Sequence, residues 1–400
     1  MKIGLIKEGK TPPDKRVVLS PKQCKYISDN YPNLELFIQK SNIRKFTDKE
    51  YSDLDLNVVD NVNHCDILLG VKEVPIKDLI SNKKYFFFSH TYKQQEYNRN
   101  LLIAILEKNI QLIDWEVITD KKGRRLIAFG RYAGIVGCYN GLLGFGLKHN
   151  LFSLKRAKDC FDRKDMEAQL SDVKLPNNFK LVITGRGRVA GGAIEILDKL
   201  DIKKVSPEEF LTKKFSYAVY TQLGVEHYNR TNDDTKFIKN DFFNDPSNFE
   251  SNFLNYAKVA DMYIACHYWD SRAPYIFTKE DARNKEWNIS MIADISCDID
   301  CAVASTLRPS TIADPFYAYN RKSGKEDDFY NENSIGVMAV DNLPCELPLD
   351  ASIDFGEMFI KHVLGPITGN DHDNIIWRAS ETKNGKLTPH FEYLKDYINK

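Results

Sequence analysis

The stretch KLVITGRGRVAGGAIEILDKL, residues 180–200, decides the fold of this chain. It opens on the apolar run LVIT (181–184), which is typical of a buried β-strand. Four glycines follow within eight residues, and the remainder has the apolar spacing of an amphipathic helix. The stretch therefore predicts a strand that turns tightly into a helix, which is the repeating unit of an α/β fold.

The glycines of this turn have the spacing G-x-G-x-x-A. The first permits a tight turn, the second lets the backbone approach a pyrophosphate, and the helix that follows offers free N–H groups and a partial positive charge. Between a strand and a helix this spacing predicts dinucleotide binding, whereas the alternative is a glycine turn with only a packing role. We assign cofactor contacts to Gly185, Gly187, Arg188, Val189 and Gly192.

The choice between NAD and NADP depends on the residue that binds the adenosine ribose. An acidic residue at the end of the next strand usually takes this role. That position offers Ser206 here, with Glu208 and Glu209 after it. Arg186 and Arg188 could assist a 2′-phosphate or could be solvated. The sequence leaves both cofactors open.

The first 130 residues alternate short apolar runs with helical patterns. Such alternation predicts a mainly parallel sheet with helices on its faces, and ligands bind beyond the carboxyl ends of such strands. The predicted strands are KIGLI, LELFIQK, DILLGV, YFFFSH and IQLIDWE, and the predicted helices are SPKQCKYISDNY and QQEYNRNLLIAILEKN.

The rest of the chain repeats this alternation. RYAGIVGCYNGLLGFGLKHN (131–150) predicts a helix that bridges domains, and its five glycines favour close packing against another backbone. Residues 224–251 predict a loop with short helices, and residues 352–400 carry helical patterns. Further strands are predicted in FSYAVYTQ, VADMYIACHYWD and WNISMIADISCD.

Three polar residues stand where predicted strands end, namely Lys72, His90 and Glu116. A lysine in a partly dry cleft titrates below free lysine, and histidine titrates near neutrality, so Lys72 and His90 suit proton transfer beside a hydride path. Lys72 could instead be solvated, and His90 could be a hydrogen-bonded core residue. Glu116 could instead form a structural ion pair with a neighbour such as Lys72, which would itself tune the base.

Two arginines are candidates for binding substrate carboxylates, because the guanidinium group binds a carboxylate through two hydrogen bonds. Arg16 follows the first predicted strand, and Arg125 lies in KGRRLIAFG. Either could instead lie on the surface. The three aspartates of ADISCDID (293–300) and the upstream His267 predict a loop near the cofactor rather than a metal site, so we expect no metal.

Composition excludes several function classes. Lysine plus arginine equals aspartate plus glutamate at 56 each, so the charge gives no support for a nucleic-acid or membrane partner. No apolar run approaches the roughly 20 residues that span a bilayer, and the N-terminus is too polar for a signal peptide. Scattered cysteines favour buried thiols in a reducing cytoplasm. We therefore expect a cytoplasmic globular protein.

Several blocks together resemble the saccharopine dehydrogenase family, and its lysine–ketoglutarate reductase domains in particular. Alanine dehydrogenases and transhydrogenases are more distant relatives, and the resemblance covers nearly the whole chain. The blocks are GLIKEGKTPPDKRVVLSP, GVKE, FFFSHTYKQQ, LIDWE, GRRLIAFGRYAG, ITGRGRVAGGA, HYWDSRAPYIFTKEDA, ADISCDIDCAVASTLRPSTIADPF and VDNLPCELPLDAS.

The resemblance implies a role for individual residues. Lys72 matches the catalytic base, His90 a second acid/base and Glu116 the acid that modulates them. Lys10 and Asp14 resemble a lysine–acid pair in the N-terminal block. The implied substrate-binding residues are Arg16, Arg125 and Phe129, and Lys93 and Asp341 match residues near the cofactor.

The resemblance also implies a fold of two Rossmann-like domains with mainly parallel sheets and an inter-domain cleft. We expect residues 1–131 and 346–400 to form the substrate and catalytic domain, similar to the alanine dehydrogenase N-terminal domain. Residues 132–345 should form the dinucleotide-binding domain. The sequence leaves the oligomeric state open, a homo-oligomer included.

The implied function is NAD- or NADP-dependent interconversion of saccharopine with L-lysine and 2-oxoglutarate, in a direction that the sequence leaves open. An alanine dehydrogenase-like enzyme for another amino acid is one alternative. A nucleotide-binding protein without catalysis is another, and intact Lys72, His90 and Glu116 speak against it.

Overall fold

The structure, a computed structural model, describes residues 1–233 and 235–399. Its contacts divide the chain into two compact units, one of Met1–Phe129 with Pro348–Lys400 and one of Gly130–Leu347. Each unit is built on a β-sheet with helices around it, so the predicted α/β class is confirmed. Lys400, the end of the last predicted helical pattern, lies outside the described residues.

The first unit begins with a parallel sheet. In its described residues the sheet has the strand order β3-β2-β1-β4-β5-β6, and every neighbouring pair is parallel. This is the order of a doubly wound Rossmann-like sheet. The elements are β1 (Lys2–Leu5), α1 (Pro21–Asn30), β2 (Glu35–Gln39), α2 (Asp48–Ser52), β3 (Asn57–Val59), β4 (Ile67–Leu69), β5 (Lys84–Phe87), α3 (Arg99–Glu107) and β6 (Gln111–Asp114).

Local sequence accounts for these elements. Ser20 caps α1, since its side chain accepts from the backbone N–H of Gln23 while the Gln23 side chain accepts from the Ser20 N–H. The last three residues of β5, Tyr85 to Phe87, are buried and aromatic. All five strands predicted in this region are confirmed. The short edge strand β3 was not predicted, because three residues give little periodicity.

The second unit holds a larger, mixed sheet. Its elements are α4 (Gly130–Lys148), α5 (Arg163–Ala168), β7 (Lys180–Thr184), α6 (Arg188–Leu197), β8 (Lys203–Lys204), α7 (Pro207–Thr212), β9 (Val219–Leu223), α8 (Val225–Tyr228), β10 (Asn229–Thr231), α9 (Lys239–Asn244), β11 (Phe249–Ser251), α10 (Leu254–Ala257), β12 (Met262–Ala265), α11 (Lys279–Ala282), β13 (Met291–Asp294), β14 (Phe316–Asn320), β15 (Lys325–Asp327) and β16 (Ser334–Met338).

Over its described residues this sheet has the order β15-β14-β16-β13-β12-β7-β9-β8. The strands from β16 to β8 are parallel to their neighbours, and β14 and β15 add an antiparallel edge. β10 and β11 form a separate antiparallel pair inside the segment predicted as loop. The predicted strands of this half are confirmed, whereas β10, β11 and the β14–β16 group were not predicted.

Glycines allow α4 and α6 to pack backbone against backbone. A side-chain carbon at Gly134 would overlap the carbonyl oxygen of Val189, and one at Gly192 would overlap that of Arg131. The prediction that α4 packs closely against another backbone is therefore confirmed. α4 itself lies within the second unit.

The chain then returns to the first unit. Its last elements are α12 (Pro348–His362), α13 (Ile375–Arg378), β17 (Thr382–Lys383), β18 (Lys386–Leu387) and α14 (Lys395–Ile398). The Glu381 N–H donates to the carbonyl of Leu112 and the Leu112 N–H donates to the Thr382 hydroxyl, so this segment lies along β6.

In the described ranges each helix is too short or too polar to cross a bilayer.

Short helical segments lie between the longer elements. The 3-10 segments are Ile76–Asp78, Thr91–Lys93, Glu96–Asn98, Trp115–Val117, Ala157–Asp159, Gln169–Asp172, Pro246–Asn248, Leu343–Glu346 and Pro389–Leu394, and Pro366–Asn370 is a short π-helix.

Candidate active site

Titratable side chains gather at the carboxyl edge of the first unit's sheet. The four strands β1, β4, β5 and β6 are consecutive neighbours, and each leads into such a residue. The edge therefore brings together side chains that lie far apart in sequence. They are Glu8 after β1, Lys72 and Glu73 after β4, His90 after β5 and Glu116 after β6.

Lys72 sits on a backbone that Glu8 holds in place. The Glu8 carboxyl accepts hydrogen bonds from the N–H groups of Val71 at 2.7 Å and of Lys72 at 2.9 Å. Burial lowers the pKa of Lys72, and the nearby charge of Arg16 lowers it further. Burial, and then the charge of Asp14, raise the pKa of Glu8 to about 8. Lys72 thus loses its proton more readily than a solvated lysine.

His90 is held by a carboxylate. Its Nδ1 lies 2.7 Å from Oε1 of Glu73, and the Nζ of Lys10 lies 2.8 Å from Oε2 of the same group. Burial acts to raise the pKa of Glu73, but hydrogen bonds from His90 and Lys10 outweigh burial and bring the pKa to about 2. Glu73 is therefore ionised at neutral pH, and His90 is a paired residue at the edge rather than a core residue.

Glu116 pairs with Lys93 and Arg125 rather than with Lys72. Its Oε1 lies 2.7 Å from Lys93 Nζ and 3.3 Å from Arg125 NH1. Burial acts to raise the pKa of Glu116, and the charges of Arg125 and Lys93 lower it, with a net lowering. Lys93, predicted to lie near the cofactor, is a residue of the first unit and forms an ion pair with Glu116 there.

Arg16 and Phe129 lie together. The Arg16 guanidinium is 4.1 Å from the centre of the Phe129 ring and binds the Asp14 carboxylate through two hydrogen bonds. Only 2% of Arg16 is exposed. The structure thus pairs Asp14 with Arg16, whereas Lys10 pairs with Glu73. Arg125 lies over the Phe88 ring at 5.3 Å.

Sequence reasoning missed Glu8 and Glu73. Glu73 stands directly after Lys72 in the quoted block GVKE, and Glu8 stands in the block that opens the chain. The sequence thus showed a carboxylate, Glu73, directly beside the predicted base. That Glu73 pairs with His90 could not be inferred, because the pairing depends on the order of strands in the sheet.

The glycine turn of the second unit has the geometry that its sequence predicts. Gly185 has φ +98°, and a side-chain carbon there would overlap the Cys266 carbonyl, so both backbone strain and space demand glycine. Gly187 is the N-cap of α6, and no atom lies within 4 Å of the position a side-chain carbon would take. Arg188 and Val189 open α6. In the described residues no side chain caps the start of this helix, and a helix N-terminus is a favourable place for an anion.

The strand beside the turn is not the one expected. β7 pairs with β9, and the two-residue strand β8 lies beyond β9 at the edge of the sheet. Ser206 instead caps α7. The acid that follows the neighbouring strand is Glu226, whose Oε1 lies 2.7 Å from NH1 of Arg186. Its Oε2 is buried and has no hydrogen-bond partner in the described part of the chain.

A small apolar pocket of about 90 Å³ adjoins the turn. His267 lines the pocket, and its Nδ1 lies 2.9 Å from the Thr184 hydroxyl at the end of β7. Burial lowers the pKa of His267 to about 4, and its Nε2 has no partner among the described residues. Asp341 follows β16 on the same sheet.

The acidic loop after β13 is held by its own hydrogen bonds. Asp294 accepts from Ser296 and from the hydroxyl of Thr306 at 2.6 Å. Within the described residues no group of three His, Cys, Asp or Glu side chains could hold a metal ion.

Comparisons with known proteins agree on one group of enzymes. Residues 4–136 match the family described as alanine dehydrogenase/PNT, N-terminal domain. The chain is 28% identical to mouse mitochondrial alpha-aminoadipic semialdehyde synthase over 96% of its length. That alignment covers 46% of the mouse protein, so the chain spans about half the length of this relative.

Two further proteins match along most of both chains. Saccharopine dehydrogenase [NAD(+), L-lysine-forming] of Yarrowia lipolytica is 26% identical over 88% of this chain and 89% of its own. The solved structure of an L-alanine dehydrogenase aligns over all of both chains with a TM-score of 0.67 and 16% identity, which shows a shared two-domain Rossmann-like fold.

Proposed function

We propose that this chain, a relative of the saccharopine dehydrogenases with an alanine dehydrogenase/PNT N-terminal domain, is an NAD-dependent oxidoreductase that acts on the secondary amine of saccharopine. One observation carries the proposal. Lys72, whose pKa is lowered, follows β4. His90, which is paired with Glu73, follows the adjacent strand β5 at the same edge of the sheet. Such an edge supplies a base and a second proton-transfer group side by side.

In the oxidative direction, Lys72 accepts the proton of the substrate amine, and the nitrogen lone pair then forms the C=N bond as hydride leaves the adjacent carbon. The bound nicotinamide cofactor supplies the hydride acceptor. Water adds to the imine carbon, and the C–N bond of the carbinolamine breaks to release lysine and 2-oxoglutarate. The Glu73 carboxylate occupies His90 Nδ1, so Nε2 is the nitrogen that exchanges protons during hydration and collapse.

The arginines of the first unit suit a substrate with three carboxylates. Arg125 lies beside Glu116 at the edge, and Arg16 lies against Phe129. A guanidinium–carboxylate hydrogen bond contributes roughly 1.5–3 kcal/mol. We propose that these two side chains distinguish saccharopine from alanine, which carries one carboxylate.

The second unit fits a dinucleotide, and its charges favour NAD. Gly187, the N-cap of α6, has no side chain that would keep a pyrophosphate away from the backbone. Burial acts to raise the pKa of Glu226, but hydrogen bonding and the Arg186 charge lower it, so Glu226 is a carboxylate. Its negative charge would repel the 2′-phosphate of NADP, whereas the ribose hydroxyls of NAD carry no charge.

Turnover assays test the proposal. Purified protein should reduce NAD⁺ with saccharopine and oxidise NADH with lysine plus 2-oxoglutarate. Turnover of pyruvate with ammonia in place of these substrates would refute saccharopine as the substrate, whereas the assignment as a dehydrogenase would stand. Cofactor binding without turnover of any of them would refute catalysis.

Calorimetry tests the cofactor. Wild-type protein should bind NAD⁺ at least about tenfold more tightly than NADP⁺, a difference of about 1.4 kcal/mol. Glu226→Ser should reduce that preference, with Glu250→Ser, an exposed glutamate on β11, as the control. Tighter binding of NADP⁺ by the wild type would refute the choice of NAD.

A further inference from the structure

Beneath His90 lies a buried chain of four side chains that the proposed reaction does not use. Ser89, Thr91, Asp114 and Glu381 are all 0% exposed. Glu381 Oε2 lies 2.6 Å from the Thr91 hydroxyl, this hydroxyl lies 2.5 Å from that of Ser89, and the Ser89 hydroxyl lies 2.6 Å from Asp114 Oδ2. Two carboxyl groups are thus joined by two hydroxyls across three short contacts.

Each of these contacts needs a proton of its own. The two hydroxyls supply two protons, so the third must come from a carboxyl. Asp114 is the acceptor end, because its Oδ2 also accepts from the Ser89 N–H at 2.7 Å and its Oδ1 accepts from the Glu116 N–H at 2.6 Å. Backbone N–H groups only donate. Burial raises the pKa of Asp114 as well, but its two backbone hydrogen bonds stabilise the charged form, and Glu381 accepts no such bond in the described residues. We therefore assign the third proton to Glu381.

The environment of Glu381 agrees with a neutral carboxyl. Burial, and then the charge of Asp114, raise its pKa. In the described residues no lysine, arginine or histidine forms an ion pair with it. Besides the Thr91 hydroxyl, the only hydrogen-bond partner of its side chain among the described residues is the Ser89 hydroxyl, at 3.1 Å. A buried, unpaired carboxyl of this kind keeps its proton.

This hydrogen-bonded chain of side chains includes both residues next to His90 and so fixes the turn that carries it. His90 has φ +56°, a left-handed conformation that is strained for a residue other than glycine. Its two neighbours, Ser89 and Thr91, are the two hydroxyl members of the chain. The Thr91 N–H also donates to the Ser89 hydroxyl at 3.2 Å, and Asn98 donates to the Ser89 carbonyl at 2.8 Å. The surrounding bonds hold the strained turn in place.

We propose that Glu381 is a positioning residue for His90, which it serves by donating the proton that completes the chain Glu381–Thr91–Ser89–Asp114. Glu381 comes from the returning C-terminal segment and so ties that segment to the turn after β5. It acts through Thr91 and Ser89, and the catalytic part of the inference rests on the proposed function of His90.

Infrared difference spectroscopy tests where the proton lies, without any turnover. At neutral pH the difference spectrum between wild type and Glu381→Gln should contain the C=O stretch of a buried protonated carboxylic acid, whereas that between wild type and Glu392→Gln, an exposed glutamate of the same segment, should not. The difference isolates Glu381, because buried Glu8, whose pKa is raised to about 8, contributes its own band to all three proteins. A Glu381→Gln difference spectrum without this band places the proton elsewhere and overturns the proposal, whether or not saccharopine is a substrate.

Kinetics of two variants test the positioning. Glutamine reproduces the donor and the shape of a neutral glutamate, so Glu381→Gln should keep kcat within about twofold. Glu381→Ala removes the donor, and a displaced His90 should lower kcat about 10²-fold while KM and the Kd for NAD⁺ stay near wild-type values. A glutamine variant as inactive as the alanine variant, or an alanine variant with wild-type kcat, would overturn the proposal.

If Glu381→Ala does not fold, Thr91→Val interrupts the same chain with a side chain of similar shape and should lower kcat likewise. NMR adds a readout of His90 itself. The imidazole proton shared with Glu73 should be seen in the wild type and Glu381→Gln and be lost or broadened in Thr91→Val. An unchanged signal in Thr91→Val would mean that the chain does not position His90.

Discussion

Replacing Glu73 by glutamine should lower the free energy of unfolding of the first unit by an amount that follows from the ion pairs of the Glu73 carboxylate. The Glu73 carboxylate is held by His90 Nδ1 at 2.7 Å and Lys10 Nζ at 2.8 Å, and its side chain is 9% exposed. The pKa falls from 4.5 to about 2 against the raising effect of burial. At about 1.36 kcal/mol per unit, this fall corresponds to about 3 kcal/mol of stability at neutral pH.

The pH dependence of this contribution has a definite sign. Because the pKa in the folded state lies below that in the unfolded chain, the contribution is complete above about pH 4.5 and is lost as pH falls towards 2. Wild type and Glu73→Gln should thus differ by about 3 kcal/mol at pH 7, and their stabilities should converge as pH falls through that window.

Urea unfolding at pH 7, 5 and 3 measures the difference, with the buried Trp115 of the first unit as one fluorescence probe. Glu96→Gln, an exposed glutamate of the same unit, serves as the control and should change stability by less than about 0.5 kcal/mol. The reasoning is refuted if Glu73→Gln costs no more than this control at pH 7. It is also refuted if the loss is the same at pH 3 as at pH 7.

Three other variants test the proposed roles. Lys72→Met should lower kcat by about 10²–10⁴-fold and remove the limb of the kcat/KM profile that rises as this lysine loses its proton; an unchanged profile would show that Lys72 is not the base. Gly187→Val should weaken NAD⁺ binding in calorimetry while Gly191→Val does not, since either side chain would meet open space in the fold; equal affinities would misplace the pyrophosphate. Arg125→Ala should raise KM for saccharopine about 10–100-fold, as a lost charged hydrogen bond implies, whereas Arg124→Ala, an exposed neighbour, should leave KM unchanged.

Features encoded by adjacent residues could be predicted from the sequence. The strand, turn and helix around Gly185 lie in one continuous stretch, and the tight turn requires glycine by steric rules alone. Lys72, His90 and Glu116 could be placed at strand ends because each follows an apolar run directly. Their shared edge then follows from the parallel order of the sheet.

Features that depend on sheet order or on distant segments could not be predicted. Glu226 lies next to the turn only because β9, and not β8, pairs with β7. Glu381 reaches Thr91 across 290 residues. β14 and β15 add an antiparallel edge whose pairing no local pattern specifies. In each case a long-range pairing places the residue, and one sequence holds no record of such a pairing.

The charges around Lys72 show why burial decides its pKa. After burial, the influences on this lysine are Arg16, which lowers the pKa, Glu73, which raises it, Lys10, which lowers it, and Asp14, which raises it. These four groups form two ion pairs, Arg16 with Asp14 and Lys10 with Glu73, so their effects on Lys72 oppose each other within each pair. Loss of Glu73 leaves Lys10 unpaired beside Lys72. The Glu73→Gln substitution should therefore lower the pKa of Lys72 further and move the rising limb of kcat/KM to lower pH, even as it weakens the hold on His90.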